Sequence, residues 1–191
     1  MKIQEQLSDL YREYACEFAG NEFVFGCGSL EPKLLLVGEA PGREEVKCSR
    51  PFSGAAGKYL DELLQLAGID RDKIYITNAI KYRLSKMNPK TGRLSNRPAT
   101  RYEIISSRRF LLREIDLIRP LCVVTLGNVP LKAVTGDFTE NIGDRHGMLS
   151  TVKSGGHEFL LFPLYHPASV IYNRSLKQTC EADILKLREV L

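Results

Sequence analysis

The chain sets one acid, one amide and one imidazole each just after an apolar run. Leu34–Val37 is followed by Gly38-Glu39-Ala40-Pro41-Gly42, Lys73–Ile80 carries Thr77-Asn78 near its end, and Glu158–Leu164 leads into Tyr165-His166-Pro167-Ala168-Ser169. A fourth group, Arg50-Pro51-Phe52, follows the acids Glu44 and Glu45 and adds an aromatic face. Each residue alone says little. A histidine before proline is commonly a turn residue, and an asparagine after a strand is commonly a cap. Glu39 is odder, because a Gly/Pro turn is well served by Asn or Asp. If the three runs are parallel strands, all three groups meet at one sheet edge, where open α/β sheets bind ligands. A site then explains them better than coincidence.

The set contains no obvious nucleophile. It holds a planar stacking surface (Phe52), an amide with both donor and acceptor (Asn78), an imidazole that can donate to a carbonyl (His166), and a carboxylate that can orient water or stabilise positive charge (Glu39). Such groups suit holding a pyrimidine ring and letting it leave. Other chemistries lack their signatures. There is no Gly-x-x-x-x-Gly-Lys-Ser/Thr loop, no GxGxxG and no Gly-x-Ser-x-Gly elbow. The five cysteines, at 16, 27, 48, 122 and 180, form no CxxC pair. They are read as free thiols, and no metal site is expected.

These groups need a frame. Residues 2–18 have apolar positions at helical spacing (Ile3, Leu7, Leu10, Tyr14), and 21–31 reads as a strand or extended loop. Strands are expected at Leu34–Val37, Lys73–Ile80, Leu121–Leu126 and Glu158–Leu164. Helices are expected at Lys58–Ala67, Ser106–Ile118, a short segment ending at Val134, and Lys177–Leu191. Gly143–Gly147 reads as a turn, and residues 81–100 as a long polar loop. One helix per crossover predicts an α/β fold, a mostly parallel four-stranded sheet covered on both faces. A chain of 191 residues is expected to form one domain, 1–191.

With 43% hydrophobic and 26% charged residues, the composition is that of an ordinary soluble protein. No apolar run approaches a membrane span, and the charged N-terminus has no signal-peptide core, so a cytoplasmic monomer without a membrane partner is expected. Net charge is +4, but from Lys81 to Arg113 ten Lys or Arg stand against one acid, Glu103. That run is either a solvated face or a nucleic-acid contact.

Taken in order, Gly38-Glu39-Ala40-Pro41-Gly42, Glu45, Arg50-Pro51-Phe52-Ser53-Gly54 with Ala56-Gly57, Tyr75-Ile76-Thr77-Asn78, Leu126-Gly127 and His166-Pro167-Ala168-Ser169 resemble the motifs of uracil-DNA glycosylases, and most closely those of family 4 (type a). The resemblance runs from residue 24 to 190. It implies a three-layer α/β/α sandwich and a DNA-repair glycosylase that hydrolyses the N-glycosidic bond of deoxyuridine. It also implies roles. Phe52 would stack on the flipped uracil, Asn78 would bond its N3/O4 edge, and His166 would donate to O2. Glu39 would position water or stabilise the sugar cation. Glu45 would form the wall near C5, with Gly38, Ala40 and Ser169 as further substrate contacts. Arg50, Lys81 and Arg83 would meet DNA. Val170 and Ile171 would wedge into the vacated stack or, alternatively, pack in the core.

The chain also departs from the resemblance. The archetypal family has an Asp where Ala40 stands, so Glu39's role follows family 4 alone. Family 4 enzymes hold a [4Fe–4S] cluster on four cysteines. Here only Cys16 remains near the N-terminus, with Tyr82 and Ser106 at the third and fourth positions. Neither is a good cluster ligand, so no cofactor is expected. The loss keeps two alternatives open: a catalytically quiet protein that binds damaged or single-stranded DNA, and an enzyme for another deaminated base such as hypoxanthine.

Overall fold

The computed structural model describes residues 2–190. In chain order, α1 (Ile3–Glu17) precedes β1 (Cys27–Gly28) and β2 (Leu34–Gly38), and α2 (Arg43–Cys48) and α3 (Ala55–Leu66) lead to β3 (Tyr75–Asn78). Next come β4 (Ser85–Met87), β5 (Leu94–Asn96), α4 (Arg101–Ile118), β6 (Cys122–Leu126) and α5 (Asn128–Thr135). The chain continues through α6 (Ile142–Arg145), β7 (Ser150–Ser154), β8 (His157–Leu164), α7 (Pro167–Tyr172) and α8 (Lys177–Arg188).

The main sheet has the order β1-β3-β2-β6-β8-β7. Its four central strands are parallel, and β1 and β7 pair antiparallel at the two edges. The expected four strands are therefore the parallel centre, and the count is corrected to six. β1 has only two residues, too few to show a period. β7 (STVKS) is polar and at most half-buried, so it lacks an apolar signal.

The apolar runs dictate the layering. Along β2, Leu35 and Val37 face one side and Leu34 and Leu36 the other, as side chains alternate across a strand. The first face packs against Leu7, Leu10 and Tyr14 of α1, Phe110, Leu111 and Ile115 of α4 and Leu131 of α5. The second packs against Leu60, Leu63 and Leu64 of α3 and Ile184 and Leu187 of α8. A buried leucine contributes about 2 kcal/mol, so a few per helix hold elements whose outer faces are charged. The result is helix, sheet and helix in three layers.

Two expectations change here. Residues 81–100 are not a featureless loop, because β4 and β5 form a separate antiparallel hairpin. Helix α4 begins before the expected Ser106, at Arg101. Thr100 caps it by accepting the Glu103 N–H at 3.2 Å, and the Glu103 carboxylate accepts the Thr100 N–H at 2.9 Å.

The parallel register aligns the strand ends. Gly38 pairs with Asn78 across β2 and β3, and Leu126 with Leu164 across β6 and β8. The residues that follow these positions share one edge.

Candidate active site

That edge opens onto a cavity of about 370 Å³. Ala40, Glu45, Phe52, Asn78 and His166 line it, together with Gly42, Gly54, Asn96, Ile171 and Tyr172.

Asn78 is 3% exposed. Its side-chain amide makes no hydrogen bond to any other described residue. The amide sits on the cavity wall, with its donor and acceptor open to a visitor. Gly38 makes room for it: a Cβ there would collide with Asn78 Oδ1 and lie 2.8 Å from the Phe52 ring.

Phe52 has φ of +54°, a left-handed conformation uncommon for a bulky residue. Strain of this kind persists only where surroundings enforce it. Arg71 Nη2 donates to the carbonyls of Pro51 at 3.2 Å and Phe52 at 3.3 Å. Gly57 supplies the rest, since a Cβ there would collide with the Phe52 carbonyl oxygen. The Phe52 ring lies 5.9 Å from the His166 ring at 29°.

His166 follows β8 and caps α7. Its Nδ1 accepts the Ala168 N–H at 3.1 Å. In a neutral ring the proton then sits on Nε2, leaving a donor. Although the residue keeps some exposure through the cavity it lines, burial dominates and pushes its pKa down to about 4. The imidazole is neutral at physiological pH.

Glu39 lies next to the lining Ala40. Burial raises its pKa above the usual carboxylate value, and a hydrogen bond from the Ala99 backbone opposes the rise. Glu45, in α2, ties that helix to the start of α3: its Oε1 accepts the Gly54 N–H at 3.1 Å.

Other expected positions fall elsewhere. Lys81 is 1% exposed, so its assignment to DNA is corrected. Its Nζ donates to Glu114 Oε2 at 2.5 Å, Asn78 O at 2.6 Å and Thr77 Oγ1 at 2.8 Å, beneath the Asn78 strand end. Glu114 also accepts from Tyr11 and Tyr75. Nothing in the local sequence distinguishes a buried cation from its neighbours in a basic run. Val170 is 7% exposed and packs with α3 and α8, so the wedge reading is corrected to core packing there. Ile171 lines the cavity and is 51% exposed. Arg50 is exposed and lines a neighbouring cavity with Cys27, Cys48 and Arg71. Arg83 donates through Nε to Asn96 Oδ1 at 3.2 Å. Ser169 lies in the first turn of α7, its N–H donating to His166 O at 2.8 Å. Sequence reading missed Asn96 and Tyr172. Asn96 follows no apolar run, and Tyr172 ends a helix too short to show a face.

Around Tyr82, aromatic rings fill the space. Tyr82 lies 5.4 Å from Phe18 and 6.3 Å from Tyr14, and Phe18 lies 6.1 Å from Phe110. Ser106 Oγ donates to Tyr102 O at 2.8 Å, within its own helix.

The layers and the cavity at the strand ends define an α/β/α protein with an open cavity at the carboxyl edge of its sheet. The chain belongs to the Uracil DNA glycosylase superfamily, whose profile matches residues 25–187. It is similar to type-4 uracil-DNA glycosylases of several organisms. That of Sulfurisphaera tokodaii is 35% identical, over 99% of this chain and 83% of its own. That of Archaeoglobus fulgidus is 33% identical over 97% and 94%, and that of Thermotoga maritima 32% over 100% and 98%.

Proposed function

We propose that this protein is a uracil-DNA glycosylase that hydrolyses the N-glycosidic bond of deoxyuridine in DNA, leaving an abasic site. The observation that carries the reading is the Asn78 amide, free of protein partners and opening onto the cavity that the Phe52 and His166 rings also line. A uracil stacked on Phe52 presents N3–H to Asn78 Oδ1 and O4 to Nδ2. Cytosine reverses that pattern, leaving both partners unpaired. As the C1′–N1 bond breaks, negative charge builds on uracil O2. The Nε2–H of neutral His166 meets it, and one such donor is worth about 3 kcal/mol. Ionised Glu39 faces the positive charge at C1′ and orients the water. That water adds its oxygen to C1′ and gives up a proton, and the departing uracil anion takes up one proton, so that water is divided between sugar and base. Glu45 forms the wall near C5, Gly38 and Ala40 are further substrate contacts, and Ser169 holds the His166 turn. Arg50, Arg83 and Ile171 contact the DNA around the extruded nucleotide.

The chain acts as one domain and carries no iron–sulfur cluster. Its donor set does not fit one. Among the described residues no three His, Cys, Asp or Glu side chains are grouped for a metal, and the five cysteines are spread over α1, β1, α2, β6 and α8. Aromatic packing around Tyr82 occupies the position that the resemblance gives to the third ligand, and no step above runs through a metal. A cytoplasmic monomer is the working state. Among the described residues no helix is long and apolar enough to cross a membrane.

The test is uracil release from a single-uracil oligonucleotide, as a single strand and opposite G and A. Wild type should release uracil on all three, and Asn78→Asp should be slower by about 100-fold or more. No release by folded wild type on any of them would sink the proposal.

A further inference from the structure

The β4–β5 hairpin stands apart from the main sheet, yet it is well formed. Its register is Ser85↔Asn96, Lys86↔Ser95 and Met87↔Leu94. The tip closes on Asn88, whose N–H donates to Arg93 O at 2.9 Å and whose Oδ1 accepts the Lys90 N–H at 2.9 Å. The base is anchored. Leu84 is 3% exposed, its carbonyl accepts the Arg97 N–H at 3.1 Å, and Arg97 grips Glu103 through both terminal nitrogens at 2.9 and 2.6 Å. Isolated two-stranded hairpins are marginal in water. This one is exposed from residue 86 to 96, and its surface is unusual.

Two observations point to its use. First, side chains two apart on a strand share a face, so Met87 and Leu94 lie on the face that carries Asn96. Asn96 lines the site cavity, while Met87 and Leu94 are 66% and 51% exposed. An apolar cross-strand pair thus extends outward from the cavity wall. Second, Lys86, Lys90 and Arg93 are exposed, and none has an acidic partner among the described residues. No acid occurs anywhere from Lys73 to Tyr102. Unpaired cations around an apolar pair, next to the site cavity, match a polyanion with apolar rings and sugars.

We propose that the β4–β5 hairpin is a DNA-gripping arm. Met87 and Leu94 lie against the sugars and bases flanking the extruded nucleotide, while Lys86, Lys90 and Arg93 hold phosphates. This rests on the glycosylase reading for its substrate.

The test compares wild type with Lys86→Ala/Lys90→Ala/Arg93→Ala and with Met87→Ser/Leu94→Ser. Binding is measured across salt concentrations on a duplex whose uracil nucleotide carries a 2′-fluoro group to slow cleavage. Each lost phosphate contact lowers the salt slope by about 0.9 on duplex DNA. The triple variant should therefore lose about 2–3 from the slope and weaken binding at least tenfold. The double variant should weaken binding severalfold with the slope unchanged. Single-turnover release at saturating protein should stay within about threefold of wild type for both. Unchanged slope and affinity in the triple variant would overturn the arm. So would a collapse of the saturated rate, or a charge-dependent loss of binding to phosphatidylserine vesicles with DNA binding intact. If wild type releases no uracil yet the triple variant still loses salt slope on DNA, the arm stands and the glycosylase reading falls.

Discussion

The Ala168 N–H donates to His166 Nδ1 at 3.1 Å, in the first turn of α7. This bond selects the ring tautomer, and burial keeps the ring neutral. The His166 imidazole should titrate near pH 4 in the folded protein, as read by NMR. Its folded pKa lies below the unfolded value of 6.5, so the unfolded chain takes up the proton first. The stability held at neutral pH is then complete above about 6.5 and is lost progressively as pH falls toward 4, by no more than about 3 kcal/mol. An ordinary titration near 6.5 refutes the assignment.

Acidification should reach Glu39 before His166. Burial lifts the Glu39 carboxyl above its usual value of 4.5. The acid limb of single-turnover uracil release should therefore fall above pH 4.5. In Glu39→Gln the rate should drop by about tenfold or more and the limb should move down toward 4. A limb that stays where it was in this variant assigns it to another group.

The left-handed Phe52 depends on Gly57. Gly57→Ala should push the Phe52 carbonyl out of place, destabilise the fold by about 1–3 kcal/mol in urea, and slow release by at least tenfold. A variant with normal stability and rate would show that the Phe52 backbone is not held in this way.

Lys81 should matter to stability rather than to DNA. Lys81→Met leaves Glu114 buried without its cation and should cost about 3–5 kcal/mol. For a chain of this size that is a Tm drop of roughly 6–20 °C. Lys81→Met/Glu114→Gln should recover part of the loss. The salt slope of DNA binding should not move in either variant, and a decrease of about one would return Lys81 to the DNA surface.

Iron analysis checks the aromatic packing around Tyr82. Purified protein should hold far less than one iron per chain, and release should be indifferent to EDTA. Tyr82→Ala should cost about 3 kcal/mol in urea through lost packing. Four irons per chain would overturn the reading.

Much was legible in the sequence because its physics is local. Apolar runs such as Leu34–Val37 and Cys122–Leu126 are buried on both faces, which is why they read as strands without alternation. Strand-end positions of Glu39, Asn78 and His166 follow from parallel connectivity alone. Apolar patterning with one helix per crossover thus carries the layered fold and the edge at which these strands end. Tertiary structure decided what depends on distant partners. Lys81 looks like its basic neighbours until Glu114, 33 residues later, buries it. Val170 and Ile171 are adjacent apolar residues, and only the packing of α7 against α3 separates core from surface. Asn96 reaches the cavity only because β4 and β5 pair, and the His166 proton sits on Nε2 only because the turn aims the Ala168 amide at Nδ1. Burial, charge state and tautomer are properties of surroundings, and those surroundings exist only once the chain is folded.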